Sequence, residues 1–228
     1  MTRKILVEGL GTFFLMLTVG QVVLSPGAGA FGPLAVGGVL TAMVYTAYHI
    51  SGAHYNPAIT IAVFVRGKAT VHELIGYIIC QLVAASVAAL IVLWMKQGGP
   101  LTLPDLDLPR ALAAEFIFTF ALALVVLNVA FARGIESNTY YGLAIGVTVM
   151  AGMYAVSSIS GAAFNPAVTV GSYILGGLGG MDAVLYGIVQ LAAGVAAAAV
   201  FGILDMVDDE PTARGVSEQP GFEPPAKP

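Results

Sequence analysis

Two side-chain amides, Asn56 and Asn165, head the tripeptides Asn56-Pro57-Ala58 and Asn165-Pro166-Ala167, 109 residues apart. Asn is a favoured helix N-cap and Pro suits the first helical turn, so each tripeptide predicts a helix start. With each Asn oxygen occupied by backbone N–H groups, the amide NH2 is expected to stay free as a donor into a cavity. Two helix N-termini meeting there would add partial positive charge at one depth. Such a point attracts the oxygen of a neutral molecule and repels cations. It also orients water oppositely on its two sides, which interrupts proton relay.

One Asn-Pro-Ala is only a turn before a helix, but this one belongs to a longer repeat. Ser51-Gly52-Ala53-His54-Tyr55-Asn56-Pro57-Ala58 returns as Ser160-Gly161-Ala162-Ala163-Phe164-Asn165-Pro166-Ala167. Tyr77 and Gln81 recur in the same phase as Tyr186 and Gln190, and Glu8 recurs as Glu115. The chain therefore reads as one duplicated unit with a special loop in each copy.

The elements that must position these loops are membrane helices. The 228 residues are 58% hydrophobic and only 10% charged, where soluble domains carry roughly 25% charged residues. Six segments approach the roughly 20 apolar residues that span a bilayer: 5–25, 33–50, 71–95, 110–132, 139–159 and 181–206. The stretches 56–66 and 165–175 are apolar but too short to cross, and predict half-helices. Lipid tolerates non-helical backbone only where protein buries it or where it lines a water-filled path, so the paired loops point to a pore.

The first repeat is assigned to 1–95 with half-helix 56–66, and the second to 110–206 with half-helix 165–175. The segment 96–109, with Gly98-Gly99-Pro100 and Pro104, is the connecting loop. Three spans per repeat is an odd number, so the second copy must enter from the opposite side, giving inverted repeats. With both termini cytoplasmic, Arg3, Lys4, Arg66, Lys68 and Arg133 fall inside and only Lys96 and Arg110 outside, as the positive-inside rule requires. Residues 207–228, rich in proline and acid, predict a disordered cytoplasmic tail. A cleavable signal over 1–30 is the weaker reading of the N-terminus, because Glu8 has its repeat partner deep in the chain. Cys80 stands alone and reads as packing.

These motifs resemble the aquaporin and aquaglyceroporin (major intrinsic protein) family from residue 3 to about 206. The resemblance rests on Ser51 to Thr60, Gly161 to Thr169, the Glu8 and Glu115 helices, and the Tyr77/Gln81 and Tyr186/Gln190 pairs. It implies an all-α membrane protein: an hourglass of six transmembrane helices and two re-entrant half-helices, with one pore per protomer in a homotetramer. It also implies passive permeation without a cofactor or metal, and glutamates Glu8 and Glu115 that tie down the loops through backbone hydrogen bonds. His54, two residues before Asn56, is expected to line the cytoplasmic vestibule.

Family members narrow near the outer mouth at four positions, which by the resemblance are Val36, Met153, Ala162 and Val168. An arginine usually stands at the place of Val168, and the aspartate typical of glycerol channels is Thr169 here. All four substitutions are apolar, so the filter is expected to be wide and to offer no side-chain donor. The function implied is a channel for water or small uncharged solutes: glycerol, urea, ammonia, weak acids or neutral metalloid hydroxides. The competing class is an ion-conducting or proton-coupled transporter on the same fold, for which the interior offers few ionisable residues beyond Glu8 and Glu115. No nucleophile–base pair, metal cluster or phosphate loop suggests an enzyme, and nothing suggests nucleic acid. The partners expected are membrane lipid, small solutes and further copies of the chain, in the cell membrane.

Overall fold

A computed structural model describes residues 1–97, 106–133 and 137–207. The connecting loop falls largely outside these residues, as does the predicted tail beyond Val207. The described chain is helical, in the order α1 (Thr2–Val23), α2 (Gly32–Ser51), α3 (Pro57–Val65), α4 (Val71–Lys96), α5 (Leu108–Phe131), α6 (Tyr141–Ser160), α7 (Pro166–Ile174) and α8 (Gly180–Val207). A single 3₁₀ turn, Gly29–Phe31, precedes α2.

Six of these helices are long and apolar enough to cross a membrane. Many of the large side chains they leave uncovered, among them Leu10, Ile79, Leu90, Leu143 and Ile188, are apolar. In water such a surface would be a liability, whereas in lipid it is the solvated face. The protein is an integral membrane protein.

Helix α1 starts three residues earlier than the hydrophobic run predicts and takes in Arg3 and Lys4. Lys4 reaches across to Glu73 at the start of α4 and forms an ion pair there, which lets a charged residue sit in a spanning helix end.

Local sequence explains where the helices stop and start. Helices α2 and α6 both end on a glycine in the left-handed region, Gly52 (φ 89°) and Gly161 (φ 81°), the conformation a residue with a Cβ enters only under strain. The short helices begin at Asn56 and Asn165, whose Oδ1 atoms accept the N–H groups of Ala58 and Ala167. Thr70 and Glu73 close a reciprocal capping box on α4, and Asp107 caps α5.

The pattern long, long, short, long occurs twice, and the two sets interlock. Helix α1 packs along α4, α5 along α8, and α2 along α6, while α3 lies against α8 and α7 against α4. Each short helix therefore packs on the last long helix of the other half. At the crossing of α2 and α6, Gly37 and Gly146 let the backbones touch: a Cβ on Gly37 would stand 2.7 Å from the Gly146 carbonyl oxygen. Such small-residue contacts replace the hydrophobic drive that is missing between helices in lipid.

Candidate functional site

The two loops ahead of the short helices are held by matched networks. Glu8 and Glu115 are fully buried, and each carboxylate receives four hydrogen bonds. Glu8 Oε1 accepts from Ser51 Oγ (2.6 Å) and the His54 N–H (2.9 Å), and Oε2 from the Tyr55 N–H (2.7 Å) and Gln81 Nε2 (3.0 Å). Glu115 Oε1 accepts from Ser160 Oγ (2.7 Å) and the Ala163 N–H (3.0 Å), and Oε2 from the Phe164 N–H (2.7 Å) and Gln190 Nε2 (2.8 Å). Tyr77 and Tyr186 add hydroxyl donors to the Ser51 and Ser160 carbonyls.

This anchoring holds a strained backbone. Ala53, Tyr55, Ala162 and Phe164 have φ between 49° and 58° without being glycine, a conformation that costs about 1–2 kcal/mol per residue. Hydrogen bonds to a charged group contribute about 1.5–3 kcal/mol each, so the two per loop that main-chain N–H groups donate to the carboxylate outweigh the strain. In a trans peptide the carbonyl of one residue points opposite to the N–H of the next. With the N–H groups of Ala53, His54 and Tyr55 turned to Ser51 and Glu8, the carbonyls of Gly52, Ala53 and His54 turn away from α1. The same holds for Gly161, Ala162 and Ala163 against Glu115. Each loop thus carries a short ladder of acceptors on its far side.

That far side borders a string of cavities. A vestibule of about 250 Å³ is lined by Lys4, Tyr48, Gly52, His54, Lys68 and Glu73, among others. It shares His54 and Val126 with a narrow cavity of about 30 Å³, where Ala53, Asn56, Asn165 and Val168 meet Leu15, Leu122 and Ile145. Val19, Ala162, Ala163 and Val168 carry over into a second narrow cavity of about 40 Å³, which adds Met153, Ser172 and Leu178. Val23, Met153 and Gly161 then open into an outer bowl of about 430 Å³. Wide, narrow, narrow, wide is the profile of an hourglass.

The two Asn-Pro-Ala motifs meet in the narrow section. Asn56 Nδ2 donates to the Phe164 carbonyl (2.9 Å), and Asn165 Nδ2 donates to the Tyr55 carbonyl (2.9 Å). This corrects the expectation of a wholly free NH2: one N–H of each amide straps the opposite loop and one remains. The physical reason is that the Tyr55 and Phe164 carbonyls, at the foot of a helix N-terminus, would otherwise be buried without a donor. Pro57, Ala58, Pro166 and Ala167 are buried.

Of the four positions expected at the outer narrowing, Met153, Ala162 and Val168 line the second narrow cavity. Val36 is buried in the same apolar cluster but is not among the residues lining these four cavities. Sequence reasoning missed Val19 and Leu178, which share that cavity, and Ser172, which brings a hydroxyl one helical turn beyond Val168. The turn spacing from Val168 was the available signal for Ser172. Nothing local marks Val19 or Leu178. The charged rim of the vestibule, Lys4, Lys68 and Glu73, has no counterpart among the described residues that line the outer bowl.

Comparison with known proteins gives a consistent picture. A family model described as "Major intrinsic protein" matches residues 1–153 and 110–223. The chain is 36% identical over 184 residues to a protein named Aquaporin NIP1-4 from Oryza sativa subsp. japonica, covering 76% of this chain and 67% of that one. It is 35% identical over 189 residues to Aquaporin NIP1-1 from Zea mays, at 77% and 65% coverage. A protein named Glycerol uptake facilitator protein-like 6 from Lactiplantibacillus plantarum is 33% identical over 184 residues, at 77% and 85% coverage. The chain spans about two thirds of the length of these plant relatives. Among solved structures, the aquaglyceroporin from Plasmodium falciparum superposes with a TM-score of 0.70 over 91% of this chain and 97% of that one, at 21% identity.

Proposed function

We infer the function from one premise: the chain belongs to the major intrinsic protein family. Members of that family are channels, not enzymes, and this chain is read as a passive channel for water and small uncharged solutes. The observation that carries this reading is the string of four cavities joined through shared lining residues, narrow where the two Asn-Pro-Ala motifs meet.

The finer reading follows from the groups on that path. The two helix N-termini and the remaining amide N–H groups of Asn56 and Asn165 favour a neutral oxygen and disfavour cations and relayed protons. Met153, Ala162 and Val168 offer only apolar side chains, with Val168 where the family usually carries an arginine, so solutes larger than water are admitted, glycerol first among them. Both the plant and bacterial relatives, by their names, support water and glycerol as the class. Carbonyls of the Gly161–Ala163 run supply the acceptors at this level. Inverted repeats, cytoplasmic termini and a homotetramer in the cell membrane complete the proposal.

A proton-coupled transporter is less well supported. Glu8 and Glu115 have both carboxylate oxygens committed to loop donors, which leaves little capacity to carry a proton across. The test is stopped-flow light scattering of proteoliposomes after a hyperosmotic glycerol jump, beside empty liposomes. Fast shrinkage and then fast reswelling is expected. Rates equal to those of empty liposomes would overturn the channel reading, and flux driven by a proton gradient would replace it with transport.

A further inference from the structure

The second narrow cavity, of about 40 Å³, has two side-chain hydroxyls on its wall, those of Ser160 and Ser172. The Ser160 hydroxyl is occupied: it donates to Glu115 Oε1 (2.7 Å) and accepts the Ala162 N–H (3.1 Å). Ser172 behaves differently. A serine or threonine within a helix can return its hydrogen to the carbonyl four residues back. Thr41, Thr46, Ser86 and Thr148 all do so, at 2.8–2.9 Å. The Ser172 hydroxyl makes no such bond and has no other hydrogen-bond partner among the described residues. Its oxygen is accessible rather than buried, so it stands open to the cavity that the residue lines.

The turn that closes α7 holds the residue in this place. Gly176 takes a φ of 82°, and the Gly177 N–H donates to the Ser172 carbonyl (2.9 Å). The chain thereby folds back on α7 and brings Leu178 to the same cavity as Val168 and Ser172. With its carbonyl spent, Ser172 presents a hydroxyl that has one hydrogen to give and two lone pairs. Four residues of helix set it about 6 Å beyond Val168 along α7.

Apart from the two serines, the side chains on this wall are apolar. The Gly161–Ala163 carbonyls can only accept. A solute squeezed to this width sheds water, finds acceptors in the loop, and finds a side-chain donor in Ser172 alone.

We propose that the Ser172 hydroxyl is a specificity-determining donor of the outer narrow cavity, performing one helical turn away the task that the apolar Val168 cannot. It gives its hydrogen to an oxygen of the solute while the loop carbonyls receive the solute's own hydroxyls. The substrates favoured are polyols, because each of their oxygens both gives and receives. The donor carries no charge, so cation exclusion stays with the helix N-termini at Asn56 and Asn165. This deepens the channel reading and rests on it.

The test is glycerol flux through the full chain in proteoliposomes, per folded protein, with Ser172→Thr beside Ser172→Val. The two replacements match in bulk, and only threonine keeps the hydroxyl. Ser172→Thr is expected to conduct glycerol about fivefold faster than Ser172→Val, the size of one hydrogen bond lost at the barrier, while their water permeabilities differ less. Equal glycerol flux in the pair, with both above empty liposomes, overturns this proposal alone. Should the added methyl close the path in both, Ser172→Ala decides. It enlarges the opening, yet a glycerol flux about fivefold below the wild type is expected, and a flux equal to or above the wild type overturns the proposal. Wild type no faster than empty liposomes overturns the channel reading and this one with it.

Discussion

Asn56 and Asn165 hold each other's loops: the amide of each donates, at 2.9 Å, to the carbonyl of the residue just before the other. Each side chain also caps its own short helix. One residue type thus closes the joint between the two halves from both sides.

The double duty can be separated by substitution. Serine keeps a capping oxygen but cannot reach across, whereas alanine loses both functions. Asn56→Ser is expected to cost about 1 kcal/mol and Asn56→Ala about 2 kcal/mol, with matching values at Asn165. Thermal unfolding in detergent measures this, and equal losses for Ser and Ala would show that the cap contributes nothing.

Glu8→Gln and Glu115→Gln probe the anchors. A carboxamide has one acceptor oxygen, so its NH2 would confront two of the donors that now meet a carboxylate. A loss of about 3 kcal/mol is expected from each, similar in the two halves because the networks match. Glycerol flux per folded molecule should keep its shape against pH. A steep pH dependence present in the wild type and abolished by either change would assign the glutamates to proton relay instead.

Adjacent glycines in α2 should respond in opposite directions. A Cβ on Gly37 would press on Gly146 and Met150, while one on Gly38 meets nothing within 4 Å. Gly37→Ala is expected to destabilise by roughly 1–3 kcal/mol through overpacking. Gly38→Ala should be neutral or gain up to about 1 kcal/mol from helix propensity. Comparable melting of the two variants would mean that α2 and α6 do not cross at these residues.

Val168 lines both narrow cavities. Val168→Arg brings a long cation into a space of tens of Å³ and is expected to reduce glycerol flux severalfold while water flux falls less. Unchanged glycerol reswelling would remove Val168 from the narrowing.

Much of the fold was legible because lipid imposes simple rules. Six apolar runs had to be helices, and the Asn-Pro pairs and Gly52 and Gly161 mark where backbone direction changes. The repeat phase linking Glu8 to Glu115 and Gln81 to Gln190 marks the residues that form the two matched networks. The exchange of amide hydrogen bonds between the halves was not legible, since no local pattern tells an Asn which carbonyl, over a hundred residues away, it will meet. Val19 and Leu178 were hidden for a similar reason: in a helix surrounded by lipid and protein, apolar periodicity does not distinguish a cavity wall from packing. The start of α1 was placed too late because hydropathy counts Arg3 and Lys4 as breaks, whereas the ion pair to Glu73 keeps the end helical.

The packing of α3 on α8 sets an order of events during synthesis. Gly194 of α8 sits directly against the Ala58 carbonyl of α3, and on the order of 100 residues separate the two helices. At roughly 5–20 residues per second, the first short helix leaves the ribosome on the order of ten seconds before the surface that receives it exists. Until then its apolar length must be sheltered by α4 and α5, or by the insertion machinery. In a nascent chain halted before α8, a cysteine introduced into the Asn56 loop should accordingly react with labelling reagents that the finished protein excludes.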